Sequence, residues 1–232
     1  MILKKFKKEI NFVIKLNKLI TKNKLTVLNF GNASYYSRKS KKLFIKGSGF
    51  DTDKLDKNKI SICEFKNNKL INLTKNTKPS VDTWTHYFIY KNFTNINYII
   101  HSHPFYSTVL AQAEIEPECL GTTHADYFKN SIPLSHKIFK VAKNYELQIG
   151  KTIVNALKLK KIKRPPGILA RNHGLFAWGK NIEDTINNAV AIEYICKLYY
   201  HTKILSPKNK IAKNLSNFHF DRKNSVGKYY GQ

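Results

Sequence analysis

No two cysteines in this chain stand close enough to form a CxxC motif. The three present, Cys63, Cys119 and Cys196, are odd in number and widely spaced. That excludes a disulfide framework and a thiolate zinc site, and reduced, buried thiols are expected. No apolar run approaches the roughly 20 residues of a membrane-spanning helix. Residues 1–24 carry lysine throughout, with no uninterrupted apolar stretch and no small-residue cleavage site. That is not the pattern of a secretory signal, so a cytoplasmic protein with no membrane partner is expected. P-loop and GxGxxG patterns are missing, as are internal repeats and low-complexity linkers. Arginine is scarce: 37 of the 41 basic residues are lysine, against 15 acidic residues and a net charge of +26. Such a charge invites a nucleic-acid partner. Base and phosphate readers, however, lean on the planar arginine fork, and here the lysines are scattered from end to end. No specific nucleic acid is expected. A positive surface favours an anionic, phosphorylated substrate instead.

What is present is a 232-residue chain, 42% hydrophobic and 12% aromatic, long enough for one large domain with a substantial core. Helical spacing of Phe6, Ile10, Val13, Leu16 and Ile20 predicts a helix over Ile2 to Thr21. Leu25 to Phe30 reads as a buried strand ending in a turn cluster, Gly31-Asn32-Ala33-Ser34. Strands follow at Lys42 to Lys46, Ile60 to Phe65 and Leu70 to Leu73, then a helix over Val81 to Tyr90 capped by Ser80. A strand over Ile96 to His101 precedes a short helix, Tyr106 to Ala113, and a loop to Leu120. Leu134 to Ile138 reads as a strand and Tyr145 to Lys160 as a helix. Strands at Ile168 to Arg171 and Leu175 to Trp178 flank Asn172-His173-Gly174. Ile182 to Thr202 is amphipathic, and a last helix runs to about Phe218. Strands and helices intermix throughout, which argues a single layered α/β domain over 1–232.

His101-Ser102-His103 carries the chemistry. Alternation along a strand places residues i and i+2 on one face, so both imidazoles leave the strand end together. Alone, the pair is better read as two hydrogen-bonded histidines beside a proline turn. A third histidine, His173 in a tight turn, completes the three protein ligands of a catalytic zinc site. Asp82, at a helix start, is either a further ligand or a group that orients one; an acid there also suits the helix dipole. Gly31-Asn32 and Gly47-Ser48-Gly49 offer backbone N–H nests for a phosphate, with Lys46 beside the second and Ser80 at a helix end. Asp126, in the cluster Gly121 to Tyr127, is a candidate acid or base, although a plain loop carboxylate is the simpler reading.

Seven stretches carry a resemblance: GNAS from Gly31, IKGSGFD from Ile45, KPSVDTWTH from Lys78, HSHPFYSTVLAQA from His101, GTTHADYF from Gly121, NHGLFAWGKN from Asn172 and the terminal YYGQ. In this order they resemble the class II aldolase and epimerase superfamily, and GTTHADYF and YYGQ resemble its L-ribulose-5-phosphate 4-epimerase branch. The resemblance implies a three-layer α/β/α fold with a mainly antiparallel central sheet. It implies one zinc per subunit at His101, His103 and His173, with Asp82 at the site. It implies that Asn32, Lys46, Ser48, Gly49 and Ser80 contact substrate and phosphate, beside Gly31 and the backbone of Val81. Asp126 and Tyr230 fall on its acid/base residues, and Thr122, Glu146 and His219 on supporting positions. It further implies a homotetramer with interfacial sites, into which the tail 221–232 docks. The implied activity converts L-ribulose 5-phosphate to D-xylulose 5-phosphate by retro-aldol cleavage, rotation of glycolaldehyde phosphate and re-addition. Three departures stand out: Gly47 replaces a usual Pro, Val81 a usual Ser, and Asn172 a common Ser. The first is expected to loosen the phosphate loop. The last is an aldolase-like pattern and keeps aldolase activity open.

Overall fold

The fold is built on seven strands paired antiparallel throughout. In a computed structural model that describes residues 2–75, 77–162 and 165–225, they are β1 (Asn32–Ser37), β2 (Lys42–Lys46), β3 (Ile60–Lys66), β4 (Lys69–Asn72), β5 (Tyr98–Ser102), β6 (Gly167–Ala170) and β7 (Gly174–Gly179). Their order across the sheet is β4-β3-β2-β1-β5-β7-β6. Helices cover both faces. One face carries α2 (Lys7–Lys22), α4 (Phe105–Gln112) and α7 (Ile182–Leu205); the other carries α3 (Thr83–Asn92) and α6 (Tyr145–Leu159). Short helices α1 (Ile2–Lys5) and α5 (Thr122–Ala125) and the terminal α8 (Lys213–Asn224) complete the chain. The expected three-layer architecture with an antiparallel centre is therefore present.

Alternation explains the two cores. Ile100 and Tyr98 of β5 join Leu16, Leu110, Leu175 and Ile192 on the α2/α7 face, while Ile99 joins Ile89, Ile153, Ile168 and Phe176 on the α3/α6 face. A sheet covered on both faces needs apolar residues at successive positions, which is why β7 and the first three residues of β5 read as apolar runs.

The region 25–34 departs from expectation. Leu25 to Phe30 is no strand: Val27, Leu28 and Phe30 are exposed, and Leu28 sits in the left-handed region at φ 54°. The strand begins where a turn was expected, at Asn32. Gly31, at φ 97°, is the turn, and a Cβ there would come 2.7 Å from the His101 carbonyl oxygen. Small polar residues mimic a turn, yet in β1 their hydrogen bonds are met by helices. The predicted first helix also breaks at Phe6, whose ring packs on Phe44 at 5.3 Å. Leu134 to Ile138 contributes only an isolated parallel bridge, Leu134 to Leu169. Gly121 to Tyr127 holds the short helix α5, and α8 runs on past Phe218 to Asn224.

β1 lies at the centre of the sheet and is pinned from α2 by a buried side chain. Asn17 Nδ2 donates to the carbonyl oxygens of Val13 (2.8 Å) and Ala33 (3.2 Å), and Ala33 N–H donates to Asn17 Oδ1 at 2.9 Å. Truncating Asn17 strands two buried backbone groups. Asn17→Ala should cost about 1–3 kcal/mol, read as a lowered urea midpoint with an unchanged slope; an unmoved midpoint would remove Asn17 from this role.

Candidate metal centre

Strand pairing converges the three histidines. His101 is the penultimate residue of β5 and faces Phe176 of β7 in the register, on which its ring stacks at 4.2 Å. Its Nδ1–H donates to the Leu175 carbonyl at 3.0 Å, which leaves the Nε2 lone pair free. His103 follows two residues later on the same side. His173 sits at the start of the β7 approach, after Asn172 at φ 56°. The Nε2 atoms of His103 and His173 each lie 3.1 Å from His101 Nε2, and the three ring nitrogens fall within 4.8 Å of one another.

Two local features hold this geometry. Gly174 leaves room for the His103 ring: a Cβ there would come 3.2 Å from His103 Nδ1 and 2.8 Å from the Ser102 carbonyl oxygen. The Glu193 carboxylate of α7 accepts Tyr106 N–H (2.8 Å), Ser107 N–H (2.8 Å) and Ser107 O–H (2.7 Å). It thereby caps α4 immediately after His103-Pro104.

The donor set fits a zinc ion. Burial lowers the pKa of all three histidines; repulsion from neighbouring histidines adds to it for His101 and His173, which fall to about 3. Neutral imidazoles are the ligand form. A tetrahedral site with Zn–N near 2.0–2.1 Å spaces its nitrogens about 3.3 Å apart, close to the 3.1 Å seen here.

Asp82 stands beside this set rather than within it. Its Oδ2 is 4.0 Å from His101 Nε2 and accepts Asn32 Nδ2–H at 2.7 Å and Ser80 O–H at 3.4 Å. Asn32 Oδ1 is buried with no partner among the described residues. Both groups line a cavity of about 420 Å³ whose wall also includes Gly31, Lys46, Ser48, Gly49, Ser80, Val81 and the three histidines. Residues taken from five separate stretches of sequence thus share one space. Asn29 and Phe30, which sequence reading did not single out, line it too. Lys46 is 3% exposed; its Nζ donates to the carbonyl oxygens of Phe50 (2.6 Å) and Asn29 (3.4 Å). Burial lowers its pKa, opposed by the Asp82 and Asp51 carboxylates.

The departures at Gly47 and Asn172 have structural reasons. Gly47 N–H donates to the Lys59 carbonyl at 2.8 Å, a bond proline cannot make, and a Cβ there would come 2.5 Å from Thr77 Cγ2. Ser48 N–H donates to Lys78 O at 2.8 Å and Ser80 N–H to Lys46 O at 3.1 Å. These three backbone hydrogen bonds tie the loop to its neighbours on both sides. Asn172 answers a left-handed backbone, which Asn tolerates better than Ser. Val81 has its side chain exposed at the cavity rim.

Asp126 is elsewhere. Its Oδ1 accepts His219 Nδ1–H at 3.3 Å and Arg222 Nη2–H at 3.4 Å, and its N–H donates to the Thr122 carbonyl at 3.0 Å. It lines a second cavity, about 340 Å³, with Phe93, Gly179 and Lys180. Gly179 pairs with Tyr98, three residues and so about 10 Å along β5 from His101. Thr122, Asp126 and His219 therefore gather at the other end of the sheet from the histidines. Glu146 lies in the first turn of α6, its carbonyl accepting the Thr85 hydroxyl; the neighbouring Tyr145 ring lies 6.5 Å from His173. Tyr230 and the tail beyond residue 225 lie outside the described residues.

The sequence matches the family described as Class II Aldolase and Adducin N-terminal domain over residues 11–200. The chain belongs to that family. Its fold is similar to an L-fuculose 1-phosphate aldolase (TM-score 0.78, 20% identity, 92% of this chain and 95% of that one). It is also similar to an L-fuculose 1-phosphate aldolase from Glaciozyma antarctica PI12 (0.73, 13%, 92% and 80%) and a sugar-phosphate aldolase from Thermotoga maritima (0.67, 20%, 90% and 99%). Among the described residues, no helix is long and apolar enough to cross a membrane.

Neutral buried histidines link stability to pH. Burial holds His86, His101 and His173 near 3 and His124 near 4, whereas unfolded histidine titrates at about 6.5. Above about pH 6.5 neither state binds these protons. Below it the unfolded state binds more, so stability is lost as pH falls from about 6.5 toward 3. The Tm of metal-free protein should decline steadily between about pH 7 and 5; a flat profile would contradict the buried neutral state.

Proposed function

We propose that this protein is a zinc-dependent L-ribulose-5-phosphate 4-epimerase of the cytoplasm, forming D-xylulose 5-phosphate. The observation that supports this most is the single cavity joining His101, His103, His173 and Asp82 to Lys46 and the glycine turns. Carbon 4 bears no proton next to the carbonyl, so inversion by simple proton abstraction is unfavourable. Cleavage between carbons 3 and 4, rotation of glycolaldehyde phosphate, and re-addition avoid that difficulty.

On this reading the phosphate sits in the nests at Gly31, Ser48-Gly49 and Ser80-Val81, with Lys46 supplying positive charge. Asn32 holds Asp82 and offers its free Oδ1 to a substrate hydroxyl. A zinc ion held by the three histidines supplies Lewis-acid stabilisation of the negative charge that develops on substrate oxygens. Inversion needs one proton-transfer group for each orientation of the carbon 4 oxygen; Asp126 and Tyr230 take these roles, with Thr122, Glu146 and His219 in support. Because Asp126 lies at the far end of the sheet from its own histidines, it must serve the site of a second copy. The tail 221–232, of which 221–224 belong to α8 and 226–232 lie outside the described residues, would dock in the same neighbouring site. A homotetramer with interfacial sites satisfies both.

The names of the structural neighbours favour a second reading, an aldolase that releases both fragments. A coupled assay on L-ribulose 5-phosphate, with and without chelator, separates the two. Xylulose 5-phosphate supports the epimerase; accumulating glycolaldehyde phosphate would replace it with the aldolase. Metal analysis of His103→Asn should show loss of bound zinc. Asp126→Asn and Tyr230→Phe should keep zinc and assembly but lose on the order of 10²-fold or more in epimerisation; normal turnover in either would remove that residue from catalysis.

A further inference from the structure

His86 is a fully buried polar residue that the proposed mechanism leaves unused. It sits on α3, one turn after Asp82 and one before Tyr90. These three residues, at i, i+4 and i+8, hydrogen-bond the alternate residues Asn32 and Ser34 of β1. Asn32 Nδ2 donates to Asp82 Oδ2 at 2.7 Å. Ser34 Oγ lies 2.7 Å from His86 Nδ1 and 2.9 Å from the Tyr90 hydroxyl, which also approaches the Ser34 carbonyl at 3.1 Å. Four helical residues rise about 6 Å and two strand residues about 6.6 Å, so the rungs stay in step. The result is a polar ladder between a helix and a strand inside an apolar layer.

His86 Nε2 is buried with no hydrogen-bond partner among the described residues, and the ring edge meets Phe176, on which His101 stacks. A half-satisfied buried imidazole is not the choice that stability alone would make; an apolar side chain of similar size avoids the desolvation cost. The hydrogen bond to Ser34 does something an apolar group cannot: it fixes how far α3 slides along β1. We propose that His86 is a positioning residue that, through Ser34, holds Asp82 against the three-histidine cluster and so sets the affinity of that cluster for a divalent cation. This rests on reading the cluster as a metal site.

The test is zinc binding by competition with a chromophoric chelator, together with the visible spectrum of the cobalt-loaded protein and the Tm of the metal-free protein. His86→Leu should keep or raise the metal-free Tm, weaken zinc at least tenfold, and alter the cobalt spectrum. Ser34→Ala should weaken zinc in the same direction. His86→Asn, whose amide reaches the position of Nδ1, should recover much of the affinity. Unchanged zinc affinity in both His86→Leu and Ser34→Ala would overturn the inference and leave the metal site standing. A fall in Tm parallel to the loss of affinity, without rescue by Asn, would make His86 an ordinary core residue. Failure of the unaltered protein to bind zinc would overturn the metal site itself.

Discussion

One hydrogen bond across the β5/β7 ladder organises the candidate centre. His101 Nδ1–H donates to the Leu175 carbonyl. That bond selects the tautomer, turns Nε2 toward His103 and His173, and ties the first histidine to the strand that follows the third. Without it the ring could expose either nitrogen, and the 3.1 Å approaches to its neighbours would not form. The stack of His101 on Phe176 fixes the plane, and burial keeps the ring neutral. Orientation, tautomer and charge state thus follow from three separate contacts, each made by a residue of β7 or by the apolar layer around it.

The sheet is apolar on both faces, but its central strand is not held by apolar contacts alone. Asn17 of α2 grips the backbone of Ala33 from one side, and α3 grips Asn32 and Ser34 from the other. Apolar packing is non-directional and tolerates small slides between layers. Hydrogen bonds do not, since they weaken steeply with misalignment. A fold that must set Asp82 and three histidines around one point gains from such directional pins, and they occur at the strand whose N-terminal end borders the cavity.

The separation of Asp126 from the histidines bears on assembly. A single chain presents the cavity that holds the three histidines at one end of the sheet and a carboxylate held by His219 and Arg222 at the other. On the proposed reading, joining two copies completes the reaction centre, and assembly becomes part of catalysis rather than a source of stability only.

Much of this was legible in the chain. Alternation predicted that His101 and His103 share a face, apolar runs located β2, β3 and β7 to within a residue or two, and glycine turns marked the cavity floor. The stretch 25–34 misled, because hydrophobic Val27, Leu28 and Phe30 imitate a strand while polar Asn32 and Ser34 imitate a turn. Only their partners on α3 make the polar pair a central strand, and those partners lie some fifty residues away. The four-residue spacing of Asp82, His86 and Tyr90 takes on meaning only with β1 placed beneath it. Residue type and periodicity determined which side chains can do chemistry and which faces they occupy, because those are local properties of the backbone. The tertiary structure alone decided which of them meet, since that depends on strand order and register: His173 joins the pair 70 residues before it, and Asp126, only 23 residues from His103, does not.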